Sequence, residues 1–196
     1  MSSVDASSAE SERSGRLVGV FDLEAVRTRL AASFPLVNDH PDVAGVLRRP
    51  ELLAVLGGAL AEPFRDAGVT AVCSPEARGP ILGALVAVEL GAGLVLVRKD
   101  DRNHPGADRR VESGPTWRGT TESFQTRSWD LGPSDRVLVV DDWITTGSSA
   151  RAVRDLADAA GASYVGASVL VNKADPVVTA ELAVRWLVTF SELMSR

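Results

Sequence analysis

"RVLVVDDWITTGSSA", Arg136 to Ala150, sets an apolar run against two adjacent carboxylates and then a hydroxyl-rich turn around a single glycine. The run has strand length, and "SSARAVRDLADAAGA" after it carries helical periodicity, so the turn sits between a buried strand and a helix. Small residues with free backbone N–H groups at a helix N-terminus form an anion cradle. Thr145, Thr146, Ser148 and Ser149 add hydroxyl donors around Gly147. Asp141 and Asp142, one step upstream, would repel an anion aimed at them, so they face hydroxyl groups or a magnesium ion. A ligand with a phosphate at one end and a diol further along, such as a ribose 5-phosphate, satisfies both halves.

Other proteins share parts of this string. A phospho-receiver domain begins in the same way, but only 60 residues follow Arg136, about half of what that domain needs. An aspartyl-phosphate phosphatase needs an acid two positions after its nucleophile, where Trp143 stands. A mononucleotide P-loop needs a lysine that "TTGSS" lacks, and a dinucleotide fingerprint would place its glycines where Asp141 and Asp142 are.

Working outward, "VTAVCS", "GPILGALVAVELGAG" and "LVLVRK" read as strand, helix and strand, and "SYVGASVLV" continues the alternation after the opening stretch. The strands are continuously apolar, which suits an α/β fold: a mostly parallel twisted sheet with helices on both faces. "DLEAVRTRLAASF" is an amphipathic helix behind a capping aspartate, and "PLVNDHPDVAGV" is a loop. "RRPELLAVLGGALAEPFRDAG" resumes the helical pattern with an early proline. "KADPVVTAELAVRWLVTF" holds a short helix and a last strand. Residues 99–121 show neither period, and a loop this long inside a compact domain is either functional or disordered. Residues 1–16, rich in serine, alanine and glutamate, read as a disordered leader before a single domain over 17–196.

The chain has 196 residues, 45% of them hydrophobic, and a net charge of −5, which disfavours a nucleic acid partner. Nothing approaches the roughly 18 apolar residues of a membrane span, and the lone Cys73 fits a reducing, cytoplasmic setting as a small buried strand residue. His40, His104, Trp117 and Trp129 are undiagnostic, with His104 expected to be solvated.

"VLVVDDWITTGSS" resembles the phosphoribosyl pyrophosphate signature of the type I phosphoribosyltransferases. An independent stretch, "CSPEARGPILGALVAVELGAGLVLVRK", resembles the adenine branch of that family, whose Glu-x-Arg-Gly turn corresponds to Glu76, Arg78 and Gly79. Together the matched segments cover about a third of the chain. The resemblance implies the type I phosphoribosyltransferase fold with a small N-terminal hood over 17–50, a flexible catalytic loop over 99–121 that closes to exclude water, and a homodimer. It also implies magnesium-dependent transfer of a phosphoribosyl group from phosphoribosyl pyrophosphate to adenine or a related purine, with release of pyrophosphate.

In that reaction Asp141, Asp142 and Arg78 would be catalytic, and Thr145, Thr146, Gly147, Ser148 and Ser149 would hold the 5-phosphate. Arg78, Gly79 and Lys99 would hold pyrophosphate, and Trp143 and Ile144 would face the base. Magnesium would be bound mainly through the substrate, with Asp141 as an additional ligand. Two departures from the family keep alternatives in view. The stretch "GPTWRGTTESFQTRSW" lacks the Glu-Tyr pair of the adenine enzymes, so the resemblance assigns no proton-handling role to Glu112 or Glu122. "DVAGVLRRPELLAVL" lacks the Arg-Asp-Ile-Thr-Pro-type run of their hood. A non-catalytic sensor of phosphoribosyl pyrophosphate and a transferase with a non-purine acceptor are the alternatives.

Overall fold

A computed structural model of the chain describes residues 22–195; the expected leader lies outside the described residues. A two-stranded hairpin, β1 (Leu36–Val37) and β2 (His40–Pro41), precedes a seven-stranded sheet. The sheet comprises β3 (Ala71–Pro75), β4 (Gly93–Lys99), β5 (Arg109–Glu112), β6 (Ser123–Thr126), β7 (Arg136–Ile144), β8 (Ser163–Asn172) and β9 (Val184–Thr189). Their order is β5-β6-β4-β3-β7-β8-β9, parallel from β4 to β9 and antiparallel where β6 joins β4 and β5 joins β6. The expected mostly parallel α/β sheet is what forms.

Helices cover both faces, which is why the strands are apolar throughout. The helices are α1 (Leu23–Ser33), α2 (Val43–Leu47), α3 (Pro50–Ala61), α4 (Gly79–Leu90), α5 (Ser148–Ala159), α6 (Pro176–Glu181) and α7 (Phe190–Met194). On one face Leu56 of α3 and Leu82 and Val86 of α4 pack with Leu138 and Val140 of β7; on the other, Val153 and Leu156 of α5 pack with Val137 and Val139. Successive β7 residues thus feed opposite cores, and every one of the four must be apolar. Each fully buried aliphatic side chain contributes roughly 1.5–3 kcal/mol relative to exposure.

The topology fixes where a ligand can bind. From β3 the chain runs through α4 to β4 on one side, whereas β7 lies against the other edge of β3 and leads on to β8 and β9. The connections leaving the carboxyl ends of β3 and β7 therefore diverge and leave a crevice at that switch point.

Two loop expectations are corrected. "PLVNDHPDVAGV" contains the β1–β2 hairpin and α2, whose first turn is capped by Asp42 accepting from the Gly45 N–H at 3.0 Å. The 99–121 stretch contains β5, antiparallel to β6, with Val111 opposite Phe124. One apolar residue among charged neighbours gives too short an alternation to stand out in sequence. No helix among the described residues is long and apolar enough to cross a membrane.

Candidate active site

The first wall of the crevice is the turn from β3 into α4. The Glu76 N–H donates to Val97 O at 3.1 Å, and the Glu76 carboxylate accepts from Arg98 Nε at 2.7 Å and from the Lys99 N–H at 3.2 Å. These bonds tie the turn to β4. The peptide joining Glu76 to Ala77 is cis. Arg78 reaches across the crevice and donates from Nε to Asp142 Oδ2 at 2.5 Å. At Gly79 a β-carbon would stand 3.0 Å from Asp141 Oδ1 and 3.1 Å from Val140 O, so glycine permits the close approach of helix and strand.

The second wall is the end of β7 and the loop into α5. Both acids lie within β7 rather than beyond it, because its pairing with β8 continues to Ile144 opposite Asn172. Asp142 is buried, and its N–H donates to Asp141 Oδ1 at 2.8 Å. Burial pushes the Asp141 carboxyl well above the usual carboxylate range, the negative charge of Asp142 adds to the rise, and Arg78 partly offsets it. A group in this state accepts or donates a hydrogen bond readily to a hydroxyl brought beside it.

Thr145, Gly147, Ser148 and Ser149 line a small cavity of ≈ 40 Å³ with Asp141. Gly147 has φ +75°, and a β-carbon there would lie 2.7 Å from Val178 Cγ1 and 2.8 Å from Leu182 Cδ1, so only glycine fits without strain. The N-cap residue Gly147 has no side chain to cap α5, and the Ser148 N–H makes only a long bond to Thr146 Oγ1 at 3.3 Å, so the first turn and the positive end of its dipole face the cavity ready for an anion. A larger cleft of ≈ 370 Å³ between α1 and β9 shares no lining residue with this cavity and carries none of the candidate site residues singled out in sequence.

The remaining residues singled out in sequence fall as follows. Lys99 Nζ donates to Glu122 Oε1 at 2.5 Å, which joins the two ends of the 99–121 stretch just before β6 begins. Trp143 packs between His40 of the hairpin, 5.7 Å between ring centroids, and Phe190, 6.1 Å away. Ile144 is buried among the α5-side core residues and is not part of this aromatic group. Cys73 is fully buried, and burial drives its thiol up. His104 is half-buried rather than solvated, with Nδ1 sequestered.

Sequence reasoning missed four participants. Phe190 and His40 flank Trp143, and Lys173 Nζ lies 4.1 Å over the Phe190 ring. Arg151, in the first turn of α5, donates from Nη1 to Thr146 O at 2.7 Å. The position of Arg151 one turn after the glycine was a usable signal; the aromatic group, drawn from distant segments, offered none. No group of three or more metal-ligating side chains occurs among the described residues, so a divalent ion would need oxygens from a bound substrate in addition to a carboxylate here.

Residues 42–181 match the phosphoribosyl transferase domain family, a span that includes both walls of the crevice. An adenine phosphoribosyltransferase of Streptomyces clavuligerus is 41% identical over 143 residues, covering 69% of this chain and 79% of that protein. A xanthine phosphoribosyltransferase of Lactobacillus delbrueckii subsp. bulgaricus is 36% identical over 126 residues, covering 64% of this chain and 67% of that protein. Among solved structures, the adenine phosphoribosyltransferase from Rhodothermus marinus superposes with a TM-score of 0.71 at 30% identity, covering 85% of this chain and 99% of that one.

Proposed function

Because the chain belongs to the phosphoribosyl transferase domain family and is an enzyme of that class, we propose that it transfers the 5-phosphoribosyl group from phosphoribosyl pyrophosphate to a purine base, adenine or a related heterocycle, and releases pyrophosphate. The observation that carries this reading is the opposition, across one crevice, of a glycine-centred cradle at a helix N-terminus and an arginine, with an acid pair between them.

In this mechanism residues 145–149 hold the 5-phosphate through first-turn amides and hydroxyls. Arg78 exchanges its bond to Asp142 for the pyrophosphate oxygens, a planar fork meeting phosphate, with the Gly79 N–H beside it. Released from Arg78, Asp142 accepts from a ribose hydroxyl, and the paired carboxylates stabilise the positive charge that grows on the sugar as the bond to pyrophosphate breaks. The base nitrogen forms the new bond to the anomeric carbon, the electron pair of the broken bond leaves on pyrophosphate, and the base gives up its ring N–H proton to the solvent. The substrate oxygens and the Asp141 carboxyl, which gives up its raised-pKa proton beside a cation, would hold magnesium, and the ion would supply positive charge to the leaving group. Lys99 adds a cation once it parts from Glu122, and closure of the 99–121 segment excludes the water that would hydrolyse the sugar.

Trp143, with His40 and Phe190, forms a wall against which a heterocycle stacks. Lys173 favours a second acceptor: it offers only donors and makes no ion pair among the described residues, so it suits a base with a ring carbonyl better than an exocyclic amine. A homodimer in the cytoplasm completes the proposal; the exposed Ile81 and Val88 of α4 and Leu94 and Leu96 of β4 offer it an apolar face. Incubation with magnesium, phosphoribosyl pyrophosphate and adenine, hypoxanthine, xanthine or a pyrimidine, followed by chromatography, tests the acceptor. A purine nucleoside monophosphate is expected; a pyrimidine product alone would contradict the purine assignment.

A further inference from the structure

We propose that Arg151 and Glu181 are positioning residues for the 5-phosphate: together they hold the Thr146–Gly147 peptide with its N–H turned into the cradle. The inference rests on the phosphoribosyl reading of the 145–149 loop and deepens it. Arg151 donates from Nη1 to Thr146 O at 2.7 Å. In a trans peptide the carbonyl and the following N–H point in opposite directions, so anchoring Thr146 O on the Arg151 side turns the Gly147 N–H the other way. Glu181 of α6 grips the same guanidinium, accepting from Nε at 2.9 Å and from Nη2 at 2.6 Å, and also accepts from Arg154 Nη1 at 3.2 Å. One of the five guanidinium donors serves the loop, and the carboxylate takes two of the other four, on Nε and Nη2, to fix the fork.

Packing agrees with this role. Val178 and Leu182, from α6 and its C-terminal end, close on Gly147 from the same side as Arg151 Nη1. Tyr164 of β8 donates its hydroxyl to Leu182 O at 2.8 Å, which secures that end of α6 to the sheet. The charge of Arg151 is balanced by Glu181, so the arginine acts on the loop backbone rather than binding phosphate itself. The two arginines hold the Glu181 carboxyl down to about 2, and the strap stays charged across the working pH range.

Titration calorimetry with ribose 5-phosphate and, separately, with magnesium pyrophosphate tests the strap in the full-length protein, alongside melting temperatures. Arg151→Met and Glu181→Gln are each expected to weaken ribose 5-phosphate about tenfold, as loss of a charged hydrogen bond does, and to leave pyrophosphate unchanged. Arg151→Lys keeps one donor within reach of Thr146 O and is expected to recover part of the loss. Glu181→Gln should add nothing in the Arg151→Met background, because both act through one carbonyl. Wild-type affinity for ribose 5-phosphate in both single variants would overturn the strap while leaving the phosphoribosyl reading intact. Equal losses for both ligands would also overturn it, as general damage. A wild-type protein that binds no ribose 5-phosphate would remove both.

Discussion

Asp141 and Asp142 differ in what surrounds them, and the difference assigns their tasks. Asp142 is paired with Arg78, whereas Asp141 is pressed between the start of α4 and its neighbour's charge. Replacing Asp142 with asparagine keeps the shape but removes the charge that the proposed mechanism turns toward the sugar. Turnover is expected to fall about a hundredfold or more, with a melting temperature close to wild type, as steady-state rates and calorimetry would show. Asp141 has a pH signature. Its folded-state pKa lies above the unfolded value near 3.8, so the unfolded chain releases this proton first as pH rises. Stability contributed by the protonated native carboxyl is complete below the unfolded pKa and is lost as pH climbs through the native one. Asp141→Asn should therefore raise the melting temperature of the ligand-free protein at neutral pH, leave it nearly unchanged in acid, and lower turnover. Gly147→Ala places a methyl against Val178 and Leu182 at positive φ and should cost about 1–3 kcal/mol by denaturant titration.

At the scale of the element, the strands and their long helices were readable because their signals are local: β7 is a continuous apolar run, and α4 ends at Gly91 in the left-handed region. The β5–β6 hairpin was not readable, since its burial alternates over only four residues and rests on Phe124 across the ladder. Amide exchange distinguishes ladder from tip. Residues 109–112 and 123–126 should be slow in the ligand-free protein, whereas the connection between them should slow only when phosphoribosyl pyrophosphate and magnesium are added, if that segment closes. Equal exchange with and without substrate would remove closure from the mechanism. In α3, Leu56 is fully buried between helix and sheet. Leu56→Ala should cost about 2–5 kcal/mol by chemical denaturation while leaving KM unaltered.

For the molecule as a whole, function follows from strand order. The neighbouring placement of β3 and β7 brings Arg78 to Asp142 although 64 positions separate them. The two motifs were legible separately in sequence, and the resemblance supplied their order; that they meet in a hydrogen bond needed the fold. The aromatic group of His40, Trp143 and Phe190 was illegible for the same reason, because it joins the hairpin, β7 and α7 through tertiary packing alone. Trp143 stands out in sequence as the residue following the acids, but its partners come from segments far from it along the chain. In the proposed mechanism this one crevice breaks the bond between ribose and pyrophosphate only when a base is present to take the sugar. Pyrophosphate release from phosphoribosyl pyrophosphate and magnesium, measured with and without a purine base, tests it most directly. Release that depends on the base, reaches one pyrophosphate per nucleotide formed and collapses in Asp142→Asn is the result predicted. Tight binding of phosphoribosyl pyrophosphate with no release in the presence of any base would contradict it.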